Sequence, residues 1–272
     1  MSLEERAAAF QALHEGPGIF VMPNPWDAGT ARILAGLGFE ALATTSAGMA
    51  NSLGVLDGEV RRRDVLEHAR QIVDATPLPV SADLENGFGD DPDRVAKTVK
   101  KAAKAGLVGC SIEDATRTRN DPIYPFEEAV ARVKAAAKAA RKLDHPFVLT
   151  ARAENYLYGH ADLDDTIARL KAFEEAGADV LYAPGLRDLV EIKQVCEAVS
   201  KPVNVLALTG GPTVAELADA GVRRVSLGSN LHRVAMGAFL RGAQELREHG
   251  TLGFLEGAAS SAELEPFLSS QS

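Results

Sequence analysis

Residues 79–113 read PVSADLENGFGDDPDRVAKTVKKAAKAGLVGCSIE. The run 79–83 has the short β-rich character of a strand, 91–105 has helical periodicity, Gly106 suits a left-handed helix cap, and 109–113 is again strand-like. One strand, one helix and a second strand make a βαβ unit of a parallel sheet. The end of the unit returns twice: AGLVGCSIE at 105–113 is echoed by AGADVLYA at 176–183 and AGVRRVSLG at 220–228. This weak internal repeat is what a chain of similar βα units produces.

Working outward, strands are expected at 18–22, 41–45, 79–83, 109–113, 147–152, 180–183, 202–207 and 224–228. Helices are expected at 63–75, 91–105, 127–142, 163–176 and 214–220, among others. Eight strands predict closure into an α/β (β/α)8 TIM-type barrel rather than an open sheet. A helical stretch at 230–249 follows the last strand. The expectation is one barrel domain over 1–272, with 250–272 as an extra C-terminal helical segment.

The chain has 272 residues, 46% of them hydrophobic, and a net charge of −9. That length and apolar content suit one large barrel core. The acidic balance argues against a nucleic-acid partner, which normally calls for a basic patch. No apolar run approaches the roughly 18 residues of a membrane span, and the start, MSLEERAAAF, is charged and helix-forming rather than a signal peptide. A cytoplasmic protein with no membrane partner is expected. Cys110 and Cys196 are too few for a disulfide scaffold and read as ordinary packing.

In such a barrel the active site lies at the carboxyl ends of the strands. The second strand ends in Thr44-Thr45-Ser46-Ala47-Gly48, the third in Asp83-Leu84-Glu85, the fourth in Glu113-Asp114 and the fifth in Arg152-Ala153-Glu154. Carboxylates gathered at one mouth repel one another unless a cation neutralises them, and an oxygen-rich site suits a hard ion. Mg2+, with Mn2+ or Ca2+ as alternatives, is therefore implied, with Asp83 and Glu113 nearest and Glu85 helping directly or through water. The competing reading is that these acids cap helices or pair with Arg and Lys. Arg152 has the planar fork that binds a carboxylate in two hydrogen bonds, against the alternative of an ion pair to Glu113 or Glu154. Ser46, Ala47 and Gly48 could present backbone N–H groups to an anion. The six histidines lack zinc spacing, and no Lys at a strand end offers a Schiff base.

The stretches TTSAGMANSLGVLDG (44–58), PVSADLENGFGD (79–90), GCSIEDA (109–115) and FVLTARAEN (147–155) together resemble the isocitrate lyase and phosphoenolpyruvate mutase superfamily. The match in order and spacing covers most of 15–245. The resemblance implies Mg2+ near Asp83, Glu85 and Glu113, with Asp57 reaching it through water. It also implies substrate carboxylate binding at Ser46, Ala47, Gly48 and Arg152, and a homodimer or homotetramer, since family members exchange a terminal helix.

The departures are informative. Ser81 replaces the first acid of the family's strand 3 motif, and Pro184-Gly185 replaces an acid or His after strand 6. The loop 115–124 lacks the catalytic cysteine of the lyases; Arg119 stands near the position of the mutases' Lys, with Asn120 beside it. Arg119 can stabilise negative charge but not act as a base near neutral pH. What carries over is a metal-stabilised enolate of a small 2-oxo or enol carboxylate. With no cysteine acid, C–C cleavage of a 2-oxo acid that needs little proton transfer is the leading expectation. Phosphonomutase-like P–C chemistry and a barrel that only binds 2-oxo acids are the alternatives.

Overall fold

The computed structural model describes residues 1–118 and 120–269. Eight parallel strands carry the fold: β1 (Phe20–Met22), β2 (Leu42–Ala43), β3 (Val80–Asp83), β4 (Gly109–Glu113), β5 (Val148–Arg152), β6 (Val180–Tyr182), β7 (Val203–Leu206) and β8 (Arg224–Ser226). Their order, β1-β8-β7-β6-β5-β4-β3-β2, is that of a barrel opened between β1 and β2. A hydrogen bond from Ala43 N to Pro23 O, 3.1 Å, draws that seam together. The expected (β/α)8 TIM-type barrel is thus the fold.

The helices are α1 (Leu3–Glu15), α2 (Ala28–Gly36), α3 (Ser46–Ser52), α4 (Arg62–Ala75), α5 (Pro92–Lys104), α6 (Phe126–Ala140), α7 (Leu163–Glu175), α8 (Leu189–Ala198), α9 (Val214–Asp219), α10 (Asn230–His249) and α11 (Ser261–Leu268), with a 3-10 turn at Gly253–Gly257. Their starts follow local chemistry. Asp91 accepts from the Asp93 N–H with Pro92 in the first turn of α5, and Thr213 and Glu216 form a capping box on α9. The glycines expected to end helices before β4, β6 and β8 do adopt left-handed backbone, with φ of 87° at Gly106, 103° at Gly177 and 93° at Gly221.

Two layers of apolar side chains hold the barrel. The larger lies between strands and outer helices, built on Val99, Ile112, Leu149, Phe173 and Leu181. The smaller plugs the amino-terminal end, where Ala7 and Phe10 of α1 meet Phe20, Val108, Val148 and Val180. A side chain at Gly109 would approach Phe10 Cε1 and Val148 O to 2.8 Å, so the plug needs a glycine there. With that end plugged by α1, the barrel interior opens at the carboxyl ends of the strands. No helix among the described residues is long and apolar enough to cross a membrane.

Candidate active site

A cavity of about 190 Å3 opens at the carboxyl ends of the strands, lined by Ser46, Ala47, Asp57, Asp83 and Arg152 among others. β5 aims Arg152 across the mouth. Its Nη1 lies 3.1 Å from Asp83 Oδ1 and 3.4 Å from Glu113 Oε2, and its Nε donates to Glu154 Oε1 at 2.7 Å. The face of Tyr182 supports the guanidinium from β6, 5.3 Å away. The ion pairs weighed as the alternative for Arg152 therefore do form, with both Glu113 and Glu154. Asp83 is the common partner: it also accepts from Ser46 Oγ at 3.0 Å and from the Glu85 N–H at 3.2 Å.

Glu85 and Arg117 belong to neighbouring loops and form an ion pair. Both have positive φ, 49° and 67°, as does Phe88 at 63°, and the Arg117 guanidinium lies 5.1 Å from the Phe88 ring centre. Arg117 thus links two other non-glycine residues in left-handed backbone beside the mouth, a strain found where surrounding contacts over-determine the chain.

Too many negative charges gather here. Burial pushes the Glu85 carboxyl up to about 7, with Asp83 and Asp57 adding to the rise and Arg117 opposing it. Burial holds Glu113 well above the usual carboxylate range, opposed by Arg152 and reinforced by Glu154 and Asp83. Asp57 is raised by burial and then by Asp83. Five acids, Asp57, Asp83, Glu85, Glu113 and Glu154, face the two guanidiniums of Arg152 and Arg117.

This donor set fits a hard divalent cation. It is oxygen only, and Asp83 and Glu113 both reach one nitrogen of Arg152, so a single positive charge can serve the two carboxylates together. Among the described residues no three His, Cys, Asp or Glu side chains converge as a closed cage. Mg2+ needs none, because it commonly takes one or two carboxylates and keeps several waters.

The other expected residues fall in different places. Ser46, Ala47 and Gly48 are the first turn of α3 rather than a turn between strand and loop, with Thr45 as the cap. Ser46 and Ala47 line the cavity. Gly48 does not: its N–H donates to Thr45 Oγ1, and an added side chain would meet Thr45 Cγ2 at 2.7 Å, so its small size serves packing. Asn120 is exposed on the loop after β4 and does not line the cavity. Arg119 lies outside the described residues.

Several residues at the site were not among the expected set: Glu154, Arg117, Tyr182, and the inward polar groups Thr150, Asn204, Arg224 and Ser226 below the mouth. Buried parallel strands normally read as continuous apolar runs. Polar residues at alternate positions (Ser81 and Asp83, Ser111 and Glu113, Thr150 and Arg152, Arg224 and Ser226) are the signal that marks them.

Comparison with known proteins agrees with this geometry. The family model described as phosphoenolpyruvate phosphomutase matches residues 10–247. A crystal structure from Burkholderia cenocepacia J2315, assigned only as far as a lyase or mutase, is 55% identical, with a TM-score of 0.96 over 99% of this chain and 97% of that one. The 2-methylisocitrate lyase of Escherichia coli K12 is 32% identical over 263 residues, 92% of this chain and 88% of the relative. Oxaloacetate acetylhydrolase, solved with its product oxalate, is 28% identical, with a TM-score of 0.86 over 97% of this chain and 94% of that one. The chain therefore belongs to the isocitrate lyase/phosphoenolpyruvate mutase superfamily, a superfamily of enzymes.

Proposed function

We propose that this protein is a Mg2+-dependent lyase, with Mn2+ as a substitute ion, that breaks a C–C bond of a small 2-oxo or enol carboxylate. The observation that carries the reading is the meeting of Asp83, Glu113 and Glu154 on Arg152 at the carboxyl-terminal mouth of the barrel. The names of the relatives, a 2-methylisocitrate lyase and an oxaloacetate acetylhydrolase, support a small carboxylate as substrate.

Asp83 and Glu113 would hold the cation, with Glu85 and Asp57 beside them directly or through water. A divalent cation there supplies electrostatic stabilisation to the negative charge that develops as the bond breaks. The Arg152 fork would take a substrate carboxylate in two hydrogen bonds, while a bound cation would share the charge of Asp83 and Glu113. Ser46 and Ala47 present the first turn of α3 to the same anion, and Gly48 lets that turn seat closely against Trp26. Asn120, on the loop after β4, and Arg119, next to it in sequence, are the proposed hydrogen-bond and charge donors to the substrate. No cysteine is present in 115–124 to act as an acid, so decarboxylation of a 2-oxo acid, in which the C–C bond breaks with no prior proton removal and the enolate then takes its proton from water, suits this chain best; retro-aldol cleavage would in addition need a base for the substrate hydroxyl.

Steady-state assays of oxaloacetate, isocitrate, methylisocitrate and phosphonopyruvate with Mg2+ test the reading. Turnover of a 2-oxo acid that EDTA abolishes is expected. Conversion of phosphonopyruvate to phosphoenolpyruvate would assign P–C chemistry instead, and binding of all four without turnover would leave a binding barrel.

A further inference from the structure

The interior of a (β/α)8 barrel is ordinarily filled by layers of Val, Ile and Leu. Below the mouth of this one, the cavity is lined instead by Ala43, Ser81, Ser111, Thr150, Asn204 and Ser226. Met22, Tyr182 and Leu206 also line it, so the space left open is bordered by small polar groups beside apolar ones. Arg224 of β8, 3% exposed, forms the floor.

Its guanidinium donates from Nε to Asn204 Oδ1 at 2.8 Å and from Nη2 to Thr150 Oγ1 at 2.9 Å, and its Nη1 lies 3.0 Å from His14 Nε2. All three acceptors are neutral. His14 uses Nδ1 toward the Phe10 carbonyl at 2.7 Å, which leaves Nε2 to accept, and burial pushes its pKa down to about 3. Among the described residues no acid offsets the burial of Arg224, and its own pKa is pushed down to about 9. Buried charges are normally paired, because neutral hydrogen bonds offset only part of the lost hydration. Arginine has five N–H donors, so one on each Nη remains for an acceptor in the cavity.

We propose that Arg224, aimed by Asn204 and Thr150, is the subsite for a second, distal carboxylate of the substrate, which reaches down the open lumen while the reacting end lies at Arg152. This rests on the mouth being a 2-oxo acid site. The cavity of about 190 Å3 is smaller than the roughly 300–1,000 Å3 of sites for drug-sized ligands. It suits a short dicarboxylic acid.

Titration calorimetry with Mg2+ and matched pairs tests it, with KM read in place of Kd for any acid that is turned over, each pair a 2-oxo dicarboxylate and the same chain ending in a methyl: oxaloacetate with 2-oxobutanoate, 2-oxoglutarate with 2-oxopentanoate, and 2-oxoadipate with 2-oxohexanoate. At least one diacid is expected to bind about tenfold to a hundredfold tighter than its partner, and Arg224→Gln is expected to erase that preference while oxalate affinity holds. A wild-type protein with no preference in any pair overturns the proposal. So does a preference that survives Arg224→Gln, with only the melting temperature lowered, which would make Arg224 a tie between strands. If Arg224→Gln does not fold, Thr150→Val takes its place: it removes one acceptor that aims the guanidinium, and an unchanged preference there counts against the subsite. Oxalate probes the mouth alone, so its failure to bind wild type would defeat the reading of the mouth and this subsite with it, whereas oxalate binding without diacid preference defeats the subsite only.

Discussion

Asp83 receives hydrogen bonds from Ser46, Arg152 and the Glu85 amide, so a change there touches most of the mouth at once. Asp83→Ala and Glu113→Ala are each expected to abolish the rise in melting temperature that Mg2+ gives the wild type, a linkage of binding to folding. A Mg2+ shift that persisted in both variants would remove the metal from these residues. Arg152 serves Asp83 and Glu113 from Nη1 and Glu154 from Nε, which a single ammonium cannot reproduce. Arg152→Lys is expected to weaken oxalate binding by about tenfold to a hundredfold, the worth of a charged hydrogen bond of roughly 1.5–3 kcal/mol. Calorimetry showing equal affinity would leave Arg152 as an ion-pair partner alone. Glu85 adds a pH dependence. Its carboxyl is raised from 4.5 to about 7, so between those values the folded protein holds a proton that the unfolded chain has lost, and stability falls as pH rises through that window. Without divalent ions the protein should melt higher near pH 5 than near pH 8, and Glu85→Gln should flatten the slope by about 2–4 °C for each kcal/mol removed. A slope unchanged by Glu85→Gln would mean that the proton sits on other acids. Asp83, Glu85, Glu113 and Arg152 were legible because strand ends converge in a barrel, and Asp57 only through the family resemblance. Arg117 was not, since only the folded chain brings it to Glu85 across 32 positions of sequence.

At the scale of elements, the loop 115–124 joins an anchored neck to an exposed tip. Ala115 and Ile123 form an antiparallel bridge, Thr116 N donates to Pro122 O at 2.8 Å, and Tyr124 reaches Asn86 and Asp90 through its hydroxyl. Arg117 and Asn120 beyond the neck are exposed, and Arg117 is tied to Glu85 and to the Gly58 carbonyl. A loop ordered by ionic contacts rather than by its own core should tighten when an anion fills the mouth. Trypsin is therefore expected to cut within 117–120 several-fold more slowly with saturating oxalate and Mg2+; an unchanged rate would rule out a closing lid. The same contrast explains which elements could be read from the sequence. The left-handed glycines after α5, α7 and α9 announce their helices through backbone chemistry. β2 is shorter than the expected 41–45 because its last residues have other duties: Thr44 Oγ1 accepts from the Asp83 N–H at 3.0 Å, and Thr45 caps α3. α3 itself, SAGMANS, spans only seven residues, too short for an amphipathic period to show.

At the scale of the whole molecule, one long helix stays largely uncovered among the described residues. α10 follows β8, where the eighth outer helix of a barrel is due, yet only His232 and Gly242 of its 20 residues are buried. Val234 is 70% exposed, Phe239 66% and Leu240 54%. The apolar side chains of 250–269 are partly covered within the chain: Phe267 of α11 seats against Gly36 of α2, and Phe254 folds back on Gly242. Leu252, Leu255 and Leu268 of that segment stay exposed, and α10 adds a second exposed apolar stripe, where Met236, Phe239 and Leu240 follow one another at the i, i+3, i+4 spacing of a single helix face. Burying a Phe or Leu side chain yields about 1.5–3 kcal/mol each, so a few such residues on two copies outweigh much of the cost of association. A symmetric homodimer or homotetramer that buries this face is the proposal that follows. Light scattering at micromolar concentration is expected to report a dimer or tetramer for the wild type, and Phe239→Glu, which places a charge in the centre of the stripe, is expected to shift it toward monomer. Circular dichroism should remain that of a folded barrel, because Phe239 supports no part of the core. A monomeric wild type would contradict the assembly, and an oligomer that persisted unchanged with Phe239→Glu would place the interface on another face of the barrel.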